Sequence, residues 1–108
     1  VSKINGCVYC ASVHAQRFEQ LAKRNDVVAE VFENPATAGQ SERDRAIIEF
    51  ATALTEAPTD VDASHVQKLK DLGFTDIEVL DLIHSVSIFG WANRLMLNLV
   101  EPVYNQAE

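Results

Sequence analysis

An all-α, oligomeric fold is what the sequence predicts, and three observations carry the prediction. Period-2 alternation is nowhere sustained, and Asn5-Gly6, the one hairpin-type dipeptide, runs into helix-spaced sequence instead of a strand. Apolar residues recur three and four apart along most of the chain, which is the helical period. The stretch from Val79 to Leu99 is apolar on nearly all sides, as expected of a helix central in a bundle or covered by another subunit.

The first helix is expected from about Gly6 to Lys23 or Arg24, with Asn5 as N-cap and Val8, Ala11, Ala15, Phe18 and Leu21 at helical spacing. A short apolar turn, Val27 to Phe32, follows, and then a loop, "ENPATAGQ", broken by Pro35 and Gly39. Ser41 opens the segment "SERDRAIIEFATALTEA", whose Glu42 and Asp44 fall in the first turn, where the helix dipole favours carboxylates. Ile47, Phe50, Ala51 and Leu54 form its core face, and Pro58 closes it. In "TDVDASHVQKLKDLG", Val66, Leu69 and Leu72 are expected inward and Gly73 just past the helix end. Thr75 and Glu78 make a capping box for the last helix, which is expected to run to about Val100 with Pro102 as its stop.

A length of 108 residues suits one domain with one modest core. Sixteen acidic against nine basic side chains give a net charge of −7, which repels a phosphate backbone, so nucleic acid is not an expected partner. No apolar run approaches the roughly 20 residues of a membrane span, so no membrane partner is expected either. Two cysteines are too few and too close for the framework of a secreted fold. A reducing cytoplasm is the expected compartment.

Both cysteines and one of the three histidines stand in "NGCVYCASVH", residues 5–14. On one helix, Cys7, Cys10 and His14 all point the same way, within about 60° of one another. His14 lies one turn, roughly 6 Å, from Cys10 but about 10.5 Å from Cys7, so a hydrogen bond is expected with Cys10 alone. The i, i+3 spacing also puts the two cysteine Cα atoms about 5–5.5 Å apart, which suits a disulfide that closes and reopens. A free thiol of pKa ~8.5 is only about 3% thiolate at pH 7 and needs help to react. The helix N-terminus would help Cys7 and the imidazole would help Cys10, so position alone does not choose between them.

Plain core material and a zinc site are the competing readings. Zinc would draw three ligands from one helix and need a fourth, for which only His65 and His84 are left among histidines and cysteines. A thioredoxin-type fold needs a strand before its C-x-x-C, and none is predicted. The expectation is therefore a redox dithiol on a helical scaffold.

The stretch "VSKINGCVYCASVHAQRF" resembles the core motif of the alkylhydroperoxidase D-like branch of the carboxymuconolactone decarboxylase superfamily: Asn-Gly-Cys, two residues, Cys, three residues, His. Residues 41–100 resemble the second half of that family, down to Asn93 and Arg94, most closely in its peroxidase-related subgroup. The resemblance implies a helical bundle of that type assembling as a homotrimer or hexamer. It implies a thiol-dependent peroxidase or disulfide reductase acting on a hydroperoxide. Carried over by position, Cys10 is the attacking thiolate, His14 its proton relay and Cys7 the resolving thiol. No cofactor is implied beyond the redox-active disulfide Cys7–Cys10, reopened by an external dithiol or a lipoyl-type reductant protein. The family relay also uses a Glu on the preceding helix. No acidic residue precedes Cys7 here, and the single domain over 1–108 is expected to lack its N-terminal helices. The alternatives are a carboxymuconolactone decarboxylase-like enzyme without redox chemistry, or an oligomerising subunit with an idle dithiol.

Elsewhere, His84 is expected as a satisfied core histidine and His65 as a solvated one. Asn93 and Arg94 are expected to make structural or subunit contacts. Trp91, Phe89 and Phe50 are expected as core or interface anchors.

Overall fold

The structure, a computed structural model, describes residues 1–39 and 41–99. These residues form six α-helices and no strand: α1 (Ser2–Asn5), α2 (Val8–Ala22), α3 (Asp26–Glu33), α4 (Glu42–Glu56), α5 (Ala63–Asp71) and α6 (Asp76–Leu99), with a 3₁₀ turn, Pro58–Asp60, after α4. The all-α expectation holds. The expected end of the last helix at Val100 and Pro102 lies outside the described residues.

The core sits where α4, α5 and α6 meet. Phe50, Leu69, Phe74 and Val79 are buried there, and Ile47, Leu54, Val66 and Leu82 pack against them. Burying a side chain of this size is worth about 1.5–3 kcal/mol, so these few residues dominate the stability of the bundle. Leu72 departs from the inward position expected of it and is exposed. Past the last turn of α5, Gly73 (φ 95°) donates to the Lys70 carbonyl and Phe74 to that of Leu69. This Schellman closure turns Phe74 rather than Leu72 into the core.

The helix starts follow local chemistry. Ser41 Oγ accepts the Asp44 amide at 3.0 Å, and Thr75 Oγ1 accepts that of Glu78 at 3.1 Å. Glu78 Oε1 accepts the Thr75 amide in return at 3.1 Å, completing the expected capping box. Arg43 joins α4 to this corner, pairing with Glu78 at 2.8 Å and lying 3.9 Å above the Phe74 ring. His65 proves to be a capping residue rather than a merely solvated one. Its Nδ1 accepts the Asp62 amide at 3.2 Å, while Asp62 Oδ1 accepts the Ser64 amide at 2.9 Å.

Two elements near the N-terminus differ from expectation. Val27 to Phe32 lies within a full helix, α3, because Asp26 starts it well at the positive end of the dipole. Lys3 Nζ donates to the Val31 and Phe32 carbonyls at its other end, tying α3 to α1. The first predicted helix is also split. Asn5 ends the short helix α1 instead of capping a long one, Gly6 (φ 77°) reverses the chain, and Cys7 caps α2. A non-glycine residue pays a steric penalty at that φ, so Gly6 fixes the break ahead of the first cysteine.

Candidate functional site

The site is built where α1 meets α2. Cys7, outside the helix with extended backbone, and Cys10, in its first turn, are joined by a disulfide with Cα atoms 5.3 Å apart. That separation is within the range the i, i+3 spacing predicts. Both residues are buried, at 3% and 5% exposure. The Cys10 amide donates to Cys7 Sγ at 3.3 Å, so the sulfur does the work of an N-cap oxygen. Once the disulfide is reduced, a thiolate at Cys7 would sit against this amide and the positive end of the helix dipole.

His14 stands apart from the sulfurs. With Cys10 held in the disulfide, the imidazole has no thiol proton to take. It is exposed and meets the Phe89 ring edge-on, with centroids 4.6 Å apart and planes at 82°. Among the described residues it makes no hydrogen bond, so the expected Cys10–His14 bond is not formed in this oxidised state. The two rings border a mostly apolar cavity of about 320 Å³ between α2 and α3, lined also by Ala11, Phe18, Val28 and Val31. Phe89 was legible in sequence only as an anchor, and its contact with the histidine was not.

Among the described residues, no group of three His, Cys, Asp or Glu side chains lies close enough together to hold a metal ion. His84, expected in the core, is exposed on α6 beside Ile88 and Trp91. The apolar length of α6 hid which side faces in: Val79, Val86, Gly90 and Asn93 are buried, while Ile77, Leu80, Ile88, Trp91 and Leu99 are exposed. Trp91, at 60% exposure, is therefore not part of this chain's core.

Asn93 is the polar residue the core does absorb. It is 0% exposed, its Nδ2 donating to Ser2 Oγ at 2.9 Å and its Oδ1 accepting from Asn5 Nδ2 at 3.1 Å. Arg94, the next residue, turns outward and donates to the Gly90 carbonyl of its own helix at 2.9 Å.

The sequence model of the carboxymuconolactone decarboxylase family matches residues 1–53, the part that carries the dithiol. The whole fold is similar to the crystal structure of an alkylhydroperoxidase AhpD core, an uncharacterized peroxidase-related protein from Ralstonia eutropha JMP134. The TM-score is 0.87, and the two are 27% identical over 97% of this chain and 55% of that one. Together the two matches support an assignment to the alkylhydroperoxidase D-like and carboxymuconolactone decarboxylase superfamily. The chain spans little more than half the length of that relative. A comparison with curated proteins finds no match. The all-helical scaffold and the C-x-x-C disulfide that the sequence resemblance implies are both present among the described residues. No helix among the described residues is long and apolar enough to cross a membrane.

Proposed function

We propose that this chain is a thiol-dependent peroxidase or disulfide reductase of the peroxidase-related kind, with the Cys7–Cys10 dithiol as its working part. The observation that carries the proposal is the disulfide itself: two buried sulfurs joined across a helix N-terminus, with no other cysteine in the sequence to compete. In the reduced form, His14 takes the proton of Cys10 and the thiolate attacks the outer oxygen of a hydroperoxide. The O–O bond breaks, an alcohol leaves with the proton, and Cys10 becomes a sulfenic acid. The Cys7 thiol condenses with it, releasing water and forming the disulfide. An external dithiol or lipoyl-type reductant is then oxidised as the two thiols are restored. A cytoplasmic setting and a homotrimer or hexamer complete the proposal, the latter supported by the apolar outward face of α6.

One observation favours a second reading, disulfide exchange begun by Cys7. The Cys10 amide and the helix end both favour negative charge on the Cys7 sulfur. The two readings separate on one experiment. The reduced protein is given one equivalent of hydroperoxide, then its thiols are counted. Loss of both thiols with an intramolecular disulfide supports the peroxidase. Unchanged thiols that nonetheless reduce a small disulfide support the exchange reading. Inertness to both leaves the decarboxylase-like or idle-subunit alternatives.

A further inference from the structure

We infer that Asn93, on the last helix, is a positioning residue for the dithiol. The inference rests on the dithiol being the working part of the protein. A helix of one turn such as α1 does not hold itself together in water, because nucleation fixes several residues for a single hydrogen bond. Lys3 ties α1 to α3, and Asn93 braces it from α6 with both ends of its amide: one on Ser2, the first residue of the turn, and one on Asn5, the last. The turn then delivers the cysteine. The Ser2 carbonyl accepts the Cys7 amide at 3.0 Å, and the Lys3 carbonyl accepts that of Gly6 at 3.2 Å. The path from α6 to the sulfur is therefore short, running from the Asn93 amide through the Ser2 side chain and main chain to the Cys7 N–H.

Cys10 needs no such support, being inside a fifteen-residue helix. Cys7 lies outside it, held to α2 by its sulfur and by its carbonyl, which accepts the Ala11 amide at 3.0 Å, and to α1 by its own amide, so a loosened α1 frees one side of the pair. A disulfide is stable in proportion to the effective concentration of one thiol at the other, and a loosened partner lowers that concentration. Asn93 is completely buried, so truncating it also strands the Ser2 and Asn5 side chains and frees the turn.

The test measures the equilibrium between dithiol and disulfide in the full chain, using buffers of reduced and oxidised dithiothreitol and quantifying thiols by alkylation. Asn93→Ala is expected to shift the equilibrium toward the dithiol by about tenfold, which for a two-electron couple is about 30 mV. Ser2→Ala, which removes one arm and keeps Asn93, is expected to shift it the same way by a smaller factor. Leu69→Ala, in the core formed by α4, α5 and α6, is expected to lower the melting temperature without moving the equilibrium. The inference is overturned if Ser2→Ala and a folded Asn93→Ala both match the parent within twofold. It is also overturned if Leu69→Ala shifts the equilibrium as far as they do. Should Asn93→Ala not fold, Ser2→Ala against Leu69→Ala decides alone. Absence of peroxide turnover in the parent protein would end the peroxidase reading and leave this equilibrium measurement intact.

Discussion

The backbone N–H of Cys10 donates to the sulfur of Cys7 across 3.3 Å, so the helix that carries one cysteine is capped by the other. This contact makes the two sulfurs chemically unequal even though both are buried. The proposed division of labour, Cys10 attacking and Cys7 resolving, therefore predicts unequal variants. Cys10→Ser is expected to abolish hydroperoxide consumption. Cys7→Ser is expected to stop after one oxidation, with a sulfenic acid at Cys10 that dimedone traps for mass spectrometry. Trapping at Cys7 in Cys10→Ser would reverse the roles.

His14 carries a separate prediction. If it relays the proton of Cys10, His14→Ala should slow peroxide reduction by about 100-fold. The pH at which Cys10 alkylates should also rise in this variant. An unchanged alkylation profile would remove His14 from the mechanism.

Acidification should weaken the helix caps. The Ser64 hydroxyl and amide, followed by His65, hold the Asp62 carboxyl down to about 2, below its ordinary 3.8. The Thr75 amide and hydroxyl, with Arg43 behind them, lower Glu78 below its ordinary 4.5. A carboxyl depressed in this way stabilises the fold above its unfolded-state pKa, and that contribution is lost as pH falls through the folded one. The starts of α5 and α6 should lose amide protection between about pH 4.5 and 2, as read by hydrogen exchange. Asp62→Asn should flatten the part due to α5.

Gly39 marks a close approach. A Cβ there would lie 2.8 Å from the Arg45 backbone nitrogen, at a φ of 118° that other residues rarely adopt. Gly39→Ala is expected to cost about 1–3 kcal/mol, seen as a lower urea midpoint.

The outward face of α6 should show itself in the mass of the particle. Trp91→Glu combined with Ile88→Asp places charge on the apolar stripe. A shift from trimer or hexamer to monomer in light scattering, with the disulfide still formed, is the expected outcome. A parent protein already monomeric would refute the assembly proposal.

How much of this was legible in the sequence depended on whether the deciding interaction was local. The Thr75–Glu78 box, the Ser41 cap and the Gly73 closure lie within five residues of their partners, and the residue types alone announce them. The C-x-x-C spacing likewise gave the Cα separation of the disulfide. The split between α1 and α2 was missed because Asn5 is as good a cap as a terminus, and only docking against α6 decides between the two. His84 was misjudged, and Trp91 left open between core and interface, for a related reason. A helix apolar on all sides gives no period by which to orient it, so which face turns inward is settled by Val79, Val86 and Asn93 meeting their neighbours. Asn93 itself was visible as a polar residue in an apolar helix. Its partners were not, since they lie 88 and 91 residues away.

That separation has a consequence for how the molecule is made. The cysteines leave the ribosome well before the brace for their turn, since Asn93 follows Asn5 and Ser2 by 88 and 91 residues. A nascent polypeptide thus exposes two thiols beside a turn that has nothing to dock on, and closing so long a loop is a late event in folding. Oxidation of the pair should accordingly follow the docking of α6, so that the disulfide records a completed fold instead of guiding it.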